Sequence, residues 1–274
     1  MELNGGRSES YGKITVIGTG PGDTEHLSKK ALEAIKEAEV IIGYSSYLRH
    51  IVDILSEKQE RLPFNMKDEI KRCEAAVKKS LEGKSVALVS GGDAGIYGMS
   101  GLLLEIIYKE SLTGKIPVEI IPGIPAFCAV SAAAGAPITN DFCVISLSNL
   151  LTPWKDIEKR LKAAAAGDFV IIIYNPKSMK RKEELTIAKN ILLENIGKDR
   201  PAVIAKAATR PDEEIIITTL ENIDKFDIVS MNTTIIIGNG NTYVNDLYMI
   251  TRRGYGNKYD LSKNNIEKNI AEEN

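Results

Sequence analysis

Three stretches of this chain place glycine beside proline or a lone acid in a way that suits contact with a ligand. They are Gly18-Thr19-Gly20-Pro21-Gly22-Asp23, Gly91-Gly92-Asp93-Ala94-Gly95 and Pro122-Gly123-Ile124-Pro125-Ala126. Glycine has no Cβ, so a ligand can lie against the backbone at such points. Each stretch follows a short apolar, β-branched run that reads as a strand. In open α/β sheets ligands bind outside the carboxyl ends of the strands. On these residues alone, a tight turn without a ligand fits equally well. The first stretch imitates a dinucleotide fingerprint but fails it. Asp23 stands where the third glycine is needed, the next strand ends in Gly43-Tyr44 without an acid, and Pro21 lacks a backbone donor.

Other chemistry is sparse. The two histidines, His26 and His50, are too few for a metal site, and no metal ligation is expected. Cys73, Cys128 and Cys143 are odd in number and widely spaced, which argues for buried, inert thiols and a cytoplasmic setting. No nucleophile triad, paired-carboxylate motif or phosphate loop is present. Basic residues stand at several turns: Lys177, Lys180, Arg181, Arg210, Arg252 and Arg253. Lys180, Arg181 and Lys182 open an expected helix over 179–196, where cations oppose the macrodipole unless an anion lies nearby.

The elements that must position these residues alternate strand and helix. Strands are expected at 13–17, 39–42, 85–90, 117–121, 143–147, 169–173, 202–206, 214–219, 233–237 and 247–251, the last at an edge. A helix from about Thr24 is expected to be capped by Asp23 or Thr24, with Leu27, Ala31, Ala34, Ile35 and Ala38 on one face. A second, over 66–82, carries an apolar stripe of Ile70, Cys73, Val77 and Leu81. Helices are also expected over 97–108 and 127–134, and one starts with Thr152 as cap and Pro153 at the first position, stopping at Gly167. The Pro122–Gly123 turn is the expected domain boundary, giving an N-terminal α/β domain over 12–122 and a C-terminal one over 123–255. Residues 1–11 read as a disordered lead-in without the apolar core of a signal peptide, and 256–274 as a polar tail.

Composition excludes several classes. Of 274 residues, 35 are Lys or Arg and 37 Asp or Glu, for a net charge of −2, which lacks the basic excess of a nucleic-acid binder. No apolar run approaches the roughly 20 residues of a membrane span. What recurs is a glycine, proline or small-residue turn after strand upon strand, which suits an enzyme whose cosubstrate is already reactive and needs mainly positioning and exclusion of water.

Taken in order, the three glycine turns resemble those of the tetrapyrrole methylases, the class III S-adenosylmethionine-dependent methyltransferases. Gly43-Tyr44-x-x-Tyr47, the run Gly91 to Met99, Leu147-Ser148-Asn149-Leu150-Leu151-Thr152-Pro153-Trp154, Tyr174-Asn175-Pro176-Lys177-Ser178 and Thr233 to Asn239 resemble the ring-contracting branch, which methylates carbon 17 of a corrin precursor. The resemblance covers roughly Gly12 to Tyr255. It implies two α/β domains with the S-adenosylmethionine cleft between them, a homodimer, and a tetrapyrrole substrate bearing several carboxylates. It also implies cofactor contacts at Pro21, Gly91, Gly92, Asp93, Ile96, Pro125, Ala126, Asn175, Ala208 and Thr234. Substrate contacts are expected at Asn149, Lys177, Arg181 and Arg210, with Asp23 and Tyr44 as candidates for proton transfer. The family usually has aspartate where this chain has Asn149. The alternatives are a methylase of the same scaffold acting on another corrin intermediate, a protein or RNA, and a tetrapyrrole carrier without catalysis.

Overall fold

The structure is a computed structural model and describes residues 11–261. The expected lead-in up to Ser10 and the tail from Ser262 lie outside them. Within the described residues one compact unit takes the chain up to Ala129 together with Ala207–Pro211, and a second takes Val130–Lys206 and the chain from Asp212 onward. The division therefore falls beyond the Pro122–Gly123 turn, inside a helix. One loop from the second half of the sequence belongs to the first unit.

The first unit holds β1 (Ile14–Gly18), α1 (Lys29–Glu37), β2 (Val40–Tyr44), α2 (Ser45–His50), β3 (Glu60–Phe64), α3 (Glu69–Leu81), β4 (Val86–Ser90), α4 (Ser100–Lys109), β5 (Val118–Ile121) and the start of α5 (Ala126–Ala134). Its five strands are all parallel, in the order β3-β2-β4-β1-β5. β1 and β4 are buried along their whole length, as expected of apolar runs covered on both faces. Alternate side chains feed two cores. Ile14, Val16, Ile42 and Leu88 pack with Cys73 and Val77 of α3 and Leu103 of α4, while Ile17, Ile41 and Val89 pack with Ala31 and Ile35 of α1.

Helix α1 starts later than expected. Its cap is Ser28, whose hydroxyl accepts from the Ala31 amide at 3.1 Å. Asp23 instead accepts from the His26 amide at 2.9 Å, closing a local turn that competes with helix. Gln59, buried between the two ends, donates to the terminal α1 carbonyls of Ile35 at 2.7 Å and Ala38 at 2.8 Å. Elements α2 and β3 were not anticipated; β3 is an edge strand with an exposed proline, so its pattern is weak. On α3 the stripe is rotated. Ile70 and Leu81 are exposed, and the inward face is Arg72, Cys73, Ala76, Val77 and Ser80. Burial pushes the Cys73 thiol up to about 12, which suits an inert packing group.

The second unit continues α5 into β6 (Gly135–Ala136), β7 (Phe142–Ser146), α6 (Trp154–Ala166), β8 (Val170–Tyr174), α7 (Glu184–Leu193), β9 (Pro201–Lys206), β10 (Glu214–Thr219), β11 (Thr233–Ile237), β12 (Thr242–Asn245) and β13 (Tyr248–Thr251). Its main sheet runs β10-β9-β11-β8-β7, with only β7 and β8 parallel. The strand expected over 247–251 is real but lies in a separate sheet, β12-β13-β6. Helix α6 ends at Gly167 as expected. Its cap, however, is Pro153, without a side-chain bond, and Thr152 lies outside the cap position. Helix α7 starts at Glu184, so Lys180, Arg181 and Lys182 precede it and do not oppose its dipole. The chain from Tyr255 to Asn257 makes one 3-10 turn.

Candidate active site

In the first unit the three glycine turns meet at the carboxyl ends of β1, β4 and β5. Gly20 and Gly92 exchange backbone hydrogen bonds of 3.1 and 2.8 Å. Gly123 lies so close to both partners that a Cβ on it would stand 2.2 Å from the Gly92 carbonyl oxygen and 2.6 Å from the Gly18 carbonyl carbon. The Asp93 carboxylate completes the arrangement. Its Oδ1 accepts from the amides of Gly95 at 2.8 Å and Ile96 at 3.1 Å, and its Oδ2 from Gly123 at 3.0 Å. Asp93 thus joins two of the turns through backbone donors.

Gly92, at φ +65°, has only backbone atoms of Ile124, Pro125 and Ala126 near its missing Cβ, all 3.8 Å or more away. The half-exposed Ile96 and Ile124 flank this backbone wall. A cavity of about 370 Å³ beside it is lined by Glu25 to Ser28 and by Pro122 to Ile124. The turns present backbone amides and carbonyls, and Glu25 and His26 stand with Leu27 and Ile124 around the cavity beside them, a mix of few polar groups and apolar wall that suits a small organic ligand.

Asp23 and Tyr44 sit at the same edge. Asp23 Oδ1 lies 2.6 Å from His26 Nδ1. Burial pushes the Asp23 carboxyl up, but the bonds from His26 and the Thr209 hydroxyl outweigh it and hold the group below its ordinary range. Asp23 is therefore an ionised acceptor and a weak base. Tyr44 meets the Tyr47 ring edge-on, with centroids 5.2 Å apart. Arg210 Nη2 donates to the Pro21 carbonyl at 3.2 Å. Ala208 is buried between Ala207 (φ +52°) and Thr209 (φ +65°). Left-handed residues on both sides of one position are costly where each carries a Cβ, and such strain collects at functional sites.

Within the second unit Arg181 and Asn175 are in contact. Asn175 follows β8 at φ +52° and donates through Nδ2 to Ser146 Oγ at 3.0 Å. Thr234 is buried within β11. Arg181 is 7% exposed, and its Nη1 donates to the carbonyls of Asn175 at 2.8 Å and Leu147 at 3.0 Å. Burial lowers its pKa, and the guanidinium serves as a tie between two loops. Asn149 is exposed in the segment between β7 and α6, and Lys177 is half-buried. Arg252 lies over the Tyr243 ring at 4.6 Å, and Arg253 Nη1 donates to the Thr139 carbonyl at 3.3 Å. Those two are thus accounted for by the small sheet. Sequence reasoning missed Arg72 and His26. Arg72 sits in an amphipathic helix whose expected apolar stripe leaves it out, and the His26–Asp23 spacing is the one signal that was available.

Parallel strands ending in interlocked glycine turns define an α/β protein. Comparison narrows this. Residues 13–224 match the model of the Tetrapyrrole (Corrin/Porphyrin) Methylases. The chain is 44% identical over 242 residues to a probable cobalt-factor III C(17)-methyltransferase of Salmonella typhimurium, covering 88% of this chain and 99% of that one. It is also 44% identical over 254 residues to a cobalt-factor III methyltransferase of Priestia megaterium, covering 92% of this chain but 47% of that protein, so it spans about half the length of that relative. The crystal structure of the methyltransferase CobJ superposes with a TM-score of 0.83 at 33% identity, over 88% of this chain and 100% of that one. The chain belongs to the tetrapyrrole methylases.

Proposed function

We propose that this protein is an S-adenosylmethionine-dependent methyltransferase that methylates carbon 17 of cobalt-factor III, or of its metal-free counterpart precorrin-3B, with contraction of the ring. The observation that carries the reading is the interlocking of the Gly18–Gly20, Gly91–Asp93 and Gly123 backbones at the carboxyl ends of β1, β4 and β5. The names of the two relatives at 44% identity support the cobalt form of the substrate. When bound, S-adenosylmethionine supplies a methyl group already made electrophilic by its sulfonium. The chain's own part is to hold and orient.

Pro21, Gly91, Gly92, Ile96, Pro125, Ala126 and Ala208 furnish backbone and apolar contacts, and Asp93 fixes the turn. Arg210 meets a polar arm of the substrate. Arg181, committed to two carbonyls, acts by shaping the loop that carries Asn175 and Lys177. Of the two candidates for proton transfer, Asp23 is held ionised, so it orients His26, and Tyr44 keeps a hydroxyl that can donate or accept. A homodimer and a cytoplasmic setting complete the proposal. Exposed Val244, Leu247 and Tyr248 on the β12–β13 hairpin offer apolar surface for a second copy. Among the described residues no helix is long and apolar enough to cross a membrane.

The test is calorimetric titration with S-adenosylhomocysteine, then incubation with S-adenosylmethionine and either cobalt-factor III or precorrin-3B. Methylated product by mass spectrometry is expected. Cofactor binding without methylation of either substrate points to another corrin intermediate. Tetrapyrrole binding without cofactor binding points to a carrier.

A further inference from the structure

Four side chains from three segments of the first unit converge beside the Gly91 turn, and of these only Arg210 is tied to a glycine turn by a hydrogen bond, through Pro21. Tyr47 of α2 lies against the Gly91 backbone, where a Cβ would stand 2.7 Å from the ring's Cε1 and Cζ. Tyr44 braces that ring edge-on. Arg72, in the first turn of α3, is 4% exposed, and its Nη2 donates to Glu69 Oε1 at 2.9 Å. Its Nε is buried without an acceptor. Arg210, from the Ala207–Pro211 loop, gives one Nη2 bond to Pro21, and its Nε is likewise buried without an acceptor. Both guanidinium charges act on the Tyr47 phenol and oppose the upward push that burial gives it.

Two arginines that only brace the fold would direct their donors to protein carbonyls, as Arg181 does. Instead, each leaves a desolvated donor unmatched, which costs free energy unless an acceptor arrives. Nε and Nη of a guanidinium form a planar fork matched to the two oxygens of a carboxylate. Glu69 takes one Arg72 Nη2 bond and Asp68 also acts on Arg72, so what the cluster keeps open to an anion is the Nε of each guanidinium. A phenol beside them adds a third donor.

We propose that Arg72, with Tyr47 and Arg210, forms a receptor for one carboxylate arm of the tetrapyrrole, set directly beside the Gly91–Asp93 turn. This rests on the tetrapyrrole reading above and adds Arg72 and Tyr47 as substrate-binding residues. It also explains why Gly91 must be glycine: a side chain there would displace the phenol from the receptor.

The test compares wild type with Arg72→Gln, Arg72→Lys and Tyr47→Phe, using absorbance titration with cobalt-factor III and with its fully methyl-esterified form, and calorimetry with S-adenosylhomocysteine. Arg72→Gln is expected to weaken binding of the acid about 30-fold or more, to leave the ester unaffected, and to keep cofactor affinity. Tyr47→Phe removes only the hydroxyl and is expected to show a smaller loss confined to the acid. It carries the test should Arg72→Gln fail to fold. Unchanged acid affinity in the folded variants, or an equal loss for acid and ester, overturns the receptor alone. Wild-type protein that binds S-adenosylhomocysteine but no tetrapyrrole overturns the substrate reading and the receptor with it.

Discussion

Gly123 shows how little room the site leaves for a side chain. Its missing Cβ would lie 2.2 Å from Gly92 O, and both neighbours are backbone that cannot rotate away. Gly123→Ala should therefore cost about 1–3 kcal/mol in urea unfolding and reduce S-adenosylhomocysteine affinity in calorimetry. Gly101, in α4 with nothing within 4 Å of its Cβ position, is the control. Gly101→Ala should be neutral or stabilise by about 0.5–1 kcal/mol. Asn149 poses a different question, because the family usually carries an acid there. Asparagine keeps the shape and one acceptor oxygen but cannot take a proton near neutral pH. Asn149→Asp is expected to change turnover little in a steady-state assay, as an orienting role requires. A rise of about a hundredfold or more would mark the position as a lost general base.

At the scale of elements, two polar ties hold loops and helices in place. Arg181 joins the segment after β7 to the segment after β8 through Leu147 and Asn175. Arg181→Ala leaves two buried carbonyls without their donor, at a cost of about 1–3 kcal/mol. Cofactor and tetrapyrrole affinities should then fall together in parallel titrations; a selective loss of tetrapyrrole would mean that the guanidinium meets substrate directly. Asp224 anchors α7: its carboxylate accepts from Thr186 Oγ1 at 2.8 Å and Lys189 Nζ at 2.9 Å, with Asp224 9% and Lys189 13% exposed at their side chains. Burial pushes this carboxyl up, but the Lys189 and Thr186 bonds outweigh it and lower its pKa. The folded value lies below the unfolded one. The stabilisation is thus complete above the unfolded value of about 3.9 and disappears as pH falls through the lower folded value. Asp224→Asn should cost about 3–5 kcal/mol at pH 7, and urea melts should show that gap closing in strong acid.

Across the whole molecule, the cofactor reading predicts a thermal shift. A ligand that binds only the folded state at a hundred times its Kd adds about 2.7 kcal/mol, which for a chain of this size raises Tm by several degrees. S-adenosylhomocysteine should produce that shift in a thermal melt, and adenosine triphosphate should not, because the turns offer no built phosphate cradle. Light scattering on the purified protein measures the proposed dimer directly.

Much of this was legible in the residues. Continuous apolar runs such as Val86 to Val89 and Val170 to Ile173 marked their strands, because burial on both faces leaves no polar alternation to misread. The order of the glycine turns pointed to the family. Other features depended on partners distant in sequence. Edge strand β3, with Pro63 and exposed positions, lacks the apolar pattern that identifies a central strand. Asp93 looked like a ligand contact, and only the approach of Gly123, thirty residues on, showed that it stitches two turns together. Arg181 looked like a substrate cation until folding brought Leu147 to it. Arg72 lay outside the apolar stripe expected of its helix. Apolar period determined the strands, since local burial is written in local pattern, and the ordered motifs carried the resemblance to the family. Which polar side chains brace the fold and which await a ligand was decided by tertiary structure alone, because a donor's role depends on whether the folded chain supplies its acceptor.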